Sequence, residues 1–223
     1  MIFSAIFRPT ALFSLRASDS TSSGAKSLFL PSPFSIKMAF LNQAITLGGE
    51  NFNEDKKRFE IVRDAAISYY VKGNFCVNNC FVKIQKQRDN EPFKSTVSFR
   101  EYIFLDSDIE IIFEVKNNED KLFLKQYLHT INYFGKRGCF FQFVKYNDNP
   151  STPNVDIFDV KKLSFGILQE YDDFDKKSTF DNVNSYSEAK GKRKKDILVI
   201  PLRNVSSSKS YTHYAVKNNC ISW

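Results

Sequence analysis

The chain has 223 residues, 42% of them hydrophobic and 15% aromatic, which is enough apolar matter for a sizeable core and too much for wholesale disorder. Its 32 Lys and Arg outnumber 25 Asp and Glu, giving a net charge of +7, a balance that suits a polyanionic partner as well as ordinary solubility. No apolar run approaches the ~18 residues of a transmembrane helix, so no membrane span is expected.

The opening residues 2–8 alternate, with Phe3, Ala5 and Phe7 on one face. That period predicts a strand, and Arg8-Pro9 together with the missing basic leader argues against a signal peptide. Residues 17–31 carry Ser, Thr, Gly and Pro without periodicity and predict a loop. Ser32-Pro33 then supplies an N-cap and a proline at the first helical position. Phe34, Met38, Leu41 and Ile45 keep helical spacing until Gly48-Gly49.

A second helix is predicted over residues 53–70, with Phe59, Val62, Ala66 and Tyr70 as its buried stripe. Residues 80–87 alternate as a strand, with Val82 and Ile84 inward. The polar stretch 86–98, broken by Pro92, predicts a hairpin excursion, and 99–105 returns as a strand. Ile109, Ile111, Phe113 and Val115 alternate with charged residues in the clearest strand of the chain. Asn118-Glu119-Asp120 starts a third helix to about residue 132, Gly135 closes it, and 139–145 is a Phe-rich strand.

With the second helix as an insertion, the order is strand, helix, strand, strand, helix, strand, which predicts an α+β fold with a ferredoxin-like (RRM-like) core. That core spans residues 1–147, with the helical insertion at 53–70 and the excursion at 86–98. Residues 148–223 form a smaller β-rich part, with strands expected at 163–170, 197–202 and 211–216.

Three segments carry candidate chemistry. The loop Phe134-Gly-Lys-Arg-Gly138 places Lys136 and Arg137 between two glycines, where the backbone can approach a phosphate closely. The same residues also suit a helix C-cap with cations on the dipole. The excursion interleaves Lys83, Lys86, Arg88, Lys94 and Arg100 with Phe93, Phe99 and Tyr102, a mixture that suits single-stranded nucleic acid and equally a solvated hairpin. Lys190-Gly-Lys-Arg-Lys-Lys195 is the densest basic run, either a polyanion contact or a solvated loop.

Catalytic signals are sparse. His129 falls in the third helix; His213, beside Tyr211 and Tyr214, is a candidate acid–base group for attack on a ribose hydroxyl. Asp172-Asp173 reads as a polar turn. The four cysteines, Cys76, Cys80, Cys139 and Cys220, include one close pair and no second, so neither zinc nor any other cofactor is expected, and a reducing cytoplasm fits their spacing.

Arg8-Pro9 with Phe13-Ser-Leu-Arg16, the segment Leu30-Pro-Ser-Pro-Phe-Ser-Ile-Lys-Met-Ala-Phe-Leu41, and Phe134-Gly-Lys-Arg-Gly138 together resemble the CRISPR-associated Cas-five family of type I systems, members of the repeat-associated mysterious protein superfamily. The resemblance covers residues 1–147 and is weak over the last third. It implies a subunit of the Cascade surveillance complex that holds the 5′ handle of the crRNA and caps the backbone filament; members of one subtype also cleave the precursor RNA, but no motif here maps onto that activity, so a non-catalytic role is expected. It implies contacts with the backbone and large subunits, with target DNA only through the complex, and no membrane. An inserted hairpin called the thumb, here 86–98, would fold over the RNA. The RNA contacts expected are Arg16, Lys37, Lys86, Arg88, Phe93, Lys94, Lys136 and Arg137. The alternative is a metal-independent endoribonuclease that processes precursor crRNA with His213, Tyr211 and a lysine; a scaffold binding acidic protein surfaces is a third reading.

Overall fold

The computed structural model describes residues 1–16, 24–87, 92–183, 191 and 193–217. Strand β1 (Ile2–Pro9) leads to three two-residue strands, β2 (Leu15–Arg16), β3 (Gly24–Ala25) and β4 (Ser27–Leu28). Helices α1 (Pro33–Gly48) and α2 (Lys56–Asp64) follow, then β5 (Ala66–Val71), β6 (Asn74–Lys86), β7 (Lys94–Leu105) and β8 (Ile109–Glu114). Next come α3 (Asn118–Leu128), β9 (Phe141–Asn147), β10 (Asp156–Ile157) and β11 (Ile167–Phe174). The chain ends with α4 (Phe180–Val183), β12 (Arg193–Ile200), β13 (Leu202–Ser207) and β14 (Tyr211–Val216).

A four-stranded antiparallel sheet, ordered β5-β8-β1-β9, forms the centre. Phe3 opposite Phe113, Ala5 opposite Ile111 and Phe7 opposite Ile109 make one apolar row across β1 and β8. Helices α1, α2 and α3 cover this row: Ile36, Phe40, Val62, Leu124 and Leu128 converge on Ile67 and Phe113 around a small apolar void. Burying each such side chain contributes about 1.5–3 kcal/mol.

The ends of α1 follow the residues that predict them. Ser32 accepts from the Ser35 amide at 3.1 Å, Pro33 opens the helix, and Gly49 at φ 65° closes it. Its buried stripe is Ile36, Lys37, Phe40, Leu41 and Ala44, whereas Phe34 and Met38 lie at the edge of the core and Ile45 is exposed. The stripe is rotated because α1 meets both the sheet and β11.

The second helix is shorter than its spacing predicts. It stops at Asp64, Ala65 turns out of helical conformation at ψ 117°, and burial switches to Tyr69 and Val71, two residues apart. Residues 66–71 instead form β5, pairing Ile67 with Phe113 and Tyr69 with Ile111. The outer side of β8 needs a hydrogen-bonding partner, and the β-branched and aromatic side chains of β5 suit that place. Thus β5, and not the hairpin strands after it, supplies the second strand of this sheet.

The hairpin β6–β7 runs from Phe75 opposite Leu105 to Lys86 opposite Lys94. Its base joins a second sheet, β13-β14-β6-β7-β3, so the end of the chain shares a sheet with residues near its middle. The third sheet, β10-β12-β11, packs on α1. Strand β11 lies about four residues later than predicted, and Asp172-Asp173 sits inside it rather than in a turn. Aspartates are poor strand formers. Here they lie opposite Lys195 and Lys194 across the ladder, and Arg193 pairs with Asp172 at 2.8 Å.

Candidate nucleic-acid interface

The loop after α3 is exposed at Gly135, Lys136, Arg137 and Gly138 and anchored beneath. Phe134 is fully buried, its ring 5.0 Å from that of Phe7 and 5.1 Å from that of Phe141. Backbone bonds from Phe134 N to Cys139 O and from Cys139 N to Lys136 O, both 3.2 Å, close the loop. The Cys139 thiol donates to the Ser14 carbonyl at 3.3 Å, and burial pushes it above the ordinary thiol range. Gly135 and Gly138 hold φ of 70° and 98°, which a side chain tolerates poorly. Space around Gly138 is open, so Gly138→Ala is expected to cost only the backbone strain, about 1–2 kcal/mol, read as a shifted urea midpoint with unchanged m-value.

An added Cβ at Gly135 would meet Leu15 at 3.4 Å, so the loop lies against β2 and brings Arg16 beside it. Arg16 and Gly135 line one side of an open cleft of about 370 Å³, with Tyr133. Ser32, Phe34, Ser35, Met38 and Asn42, from the start of α1, form its floor, and Glu170, Asp172 and Arg193 its far wall. The Arg193 guanidinium lies 3.9 Å from the Phe34 ring centroid and pairs with Asp172, while Lys195 pairs with Glu170. The acidic wall is thereby matched by cations, and the Ser32 and Ser35 hydroxyls are engaged in capping α1.

Among the described residues, the hairpin beyond Phe81 and Phe99 is a two-stranded arm. From Val82 to Lys86 it projects roughly 17 Å at about 3.4 Å per residue. Phe81 is 78% exposed and edge-on to Phe99 at 5.6 Å, and Phe93 is 65% exposed. Lys83 and Lys94 are also exposed.

Several sequence-predicted residues therefore lie at the surface: Arg16 in the cleft, Lys136 and Arg137 on the loop whose Gly135 lines it, Phe93 and Lys94 on the arm. Lys86 ends β6, and its side chain, like all of Arg88, lies outside the described residues. Lys37 departs from the expectation. Only 3% exposed, it pairs with Asp173 at 2.7 Å and donates to the Arg63 carbonyl at 2.8 Å. A cation tied to α2 and β11 inside the core does not reach a phosphate. Burial depresses its pKa, against the opposing pull of Asp173.

The described part of the basic run, Arg193 to Lys195, is also absorbed locally, in ion pairs with Asp172, Asp196 and Glu170. His129 ends α3 with Nδ1 3.1 Å from the Lys125 carbonyl. His213 and Tyr211 lie opposite Cys76 and Asn78, with no lysine in register with either among the described residues. Sequence reasoning missed Tyr133, Asn42 and the Phe34–Arg193 stack, whose halves are 159 positions apart. The only signal for Arg193 was its place in the basic run.

No family model matches the chain. Over 195 residues it is 28% identical to the CRISPR-associated protein Cas5 of Archaeoglobus fulgidus, covering 82% of this chain and 83% of that protein. A crystal structure of a CRISPR protein from the same organism superposes with a TM-score of 0.46 and 12% identity, covering 98% of this chain and 93% of the other. The family resemblance carried by the three quoted segments thus extends over most of the chain.

Proposed function

Taking the kinship with CRISPR-associated Cas5 as the premise, we propose that the chain is a crRNA-binding subunit of a type I Cascade complex that holds the 5′ handle of the guide without cleaving it. The observation that carries this reading is the exposed cationic loop, seated beside Arg16 and the α1 entrance at the rim of one open cleft. Charge-assisted bonds from Lys136 and Arg137 hold handle phosphates, and the polar cleft floor receives bases. The strand order fourth-first-third-second, with β1, β5, β8 and β9 in those roles, supports a ferredoxin-like core. The β6–β7 arm is the counterpart of the thumb, and its exposed rings support splayed bases. The backbone and large subunits are the protein partners, and target DNA is met through the assembled complex.

The test is fluorescence anisotropy with a labelled RNA carrying a type I CRISPR repeat handle, over a salt series. Each phosphate contact on a single strand contributes about −0.7 to the slope of log affinity against log salt, so Lys136→Ala with Arg137→Ala is expected to flatten the slope by about 1.4. An unchanged slope removes the loop from the interface. In the same samples, with chelator present, the RNA is expected to stay intact; cleavage abolished by His213→Ala would favour the endoribonuclease reading instead.

A further inference from the structure

One face of the sheet β13-β14-β6-β7-β3 packs on the core through Phe75, Val77, Ile103 and Leu105; on the other, Ser98 is buried while Phe104 and Tyr211 are exposed. On its other face two rows of side chains run across three strands. Phe104 lies opposite Cys76, which lies opposite His213; Tyr102 lies opposite Asn78, which lies opposite Tyr211. Phe104 is 50% exposed and Tyr211 is exposed as well, while Tyr102 and His213 are half-buried. Rings two residues apart on one strand stand roughly 6.8 Å apart, so Tyr102 and Phe104 form adjacent steps on a flat surface.

Among the described residues the charge in register on this face has one sign. Arg100 follows in register opposite Cys80, and exposed Arg203 lies opposite Ala215. Among the described residues no carboxylate occupies a register position on it. Asp106, at the margin, is bonded to the amide and side chain of Asn74, both at 2.7 Å. Between the rings stand Asn78, Cys76 and Ser206, so the face lacks the continuous apolar area of a protein core.

We infer that this sheet face is a second binding surface, a base-stacking platform for single-stranded nucleic acid, separate from the cleft between α1 and the glycine loop. Exposed rings give π-faces to successive bases, Arg203 at the margin supplies a cation for phosphates, and no carboxylate stands in register among the described residues.

The probe is a short oligouridylate carrying 4-thiouridine, cross-linked to the full chain by near-ultraviolet light. Adducts are expected on peptides containing Tyr102 or Phe104 and Tyr211 or His213. Loss of one stacking ring weakens binding about five- to 150-fold, so Phe104→Ala combined with Tyr211→Ala is expected to raise Kd at least fivefold while leaving the salt slope in place. Phe104→Trp, which keeps a ring, should retain the affinity, separating stacking from any structural effect. Adducts confined to the glycine loop or the arm, with Kd unmoved by the alanine pair, would overturn the platform and leave the cleft reading standing. A change in self-association without a change in Kd would assign the face to a protein contact and overturn it equally.

Discussion

Asp173→Ala is expected to destabilise the protein by about 3–5 kcal/mol, because it strands the Lys37 ammonium inside the core without its counter-ion. Lys37 sits where α1, α2 and β11 meet, its ammonium 5.7 Å from the centroid of the Phe174 ring and bonded to the Arg63 carbonyl. In a chain of this size each kcal/mol moves Tm by about 2–4 °C, so thermal denaturation should show a fall of roughly 6–20 °C. Replacing the pair together, as Lys37→Met with Asp173→Leu, removes both the attraction and the desolvation cost and is expected to lie close to the parent. A single Asp173→Ala variant as stable as the parent would show that the ion pair does not hold β11 to α1.

The same pair predicts a pH signature. Burial lowers the pKa of Lys37 in the folded chain, while the unfolded chain keeps its lysine near 10.4. Between those two values the unfolded state binds more protons, so this site's contribution to stability rises with pH. Removing Asp173 takes away the influence that raises the folded pKa, which moves the lower edge of that window down. The stability gap between Asp173→Ala and the parent is therefore expected to narrow as pH climbs toward 10, measured by urea denaturation at each pH. A gap that widens over that range contradicts a buried, charged Lys37.

Phe134→Ala is expected to cost about 3–5 kcal/mol by opening a cavity among Phe7, Phe13 and Phe141. Its consequence extends to the surface, since Phe134 is the anchor from which the exposed Lys136 and Arg137 project. RNA affinity measured on the folded fraction is expected to fall with the alanine variant. Phe134→Leu, which fills much of the space, should lose less stability and keep the affinity. Equal affinity for both variants would show that the loop holds its shape without the ring.

The ends of α1, the start of α3 and the alternation of β1, β8 and β14 were legible in the chain because caps, glycines and period-two burial are local signals, whereas α3 stops at Leu128 rather than near residue 132. The short α2, the strand β5 and the displaced β11 were not. Phe59, Val62, Ala66 and Tyr70 fit a helical stripe, and only the unfilled edge of β8 selects a strand from Ala66 onward. Asp172 and Asp173 read as turn residues until Arg193, Lys194 and Lys37 stand next to them. Among the expected contacts, Lys136 and Arg137 were placed at the surface by their flanking glycines, whereas nothing near Lys37 in the chain distinguishes it from a solvated helix lysine.

The sequence by itself determined where α1 begins and ends, which residues of β1 and β8 line the central sheet, and that a glycine-flanked cationic turn follows the last core helix. These depend on neighbours within a few positions, where dihedral preference and periodic burial decide. Tertiary structure alone decided which cations stay in solvent and which are spent inside, because a charge is kept or neutralised by groups far along the chain: Lys37 by Asp173, Arg193 by Asp172 and Phe34.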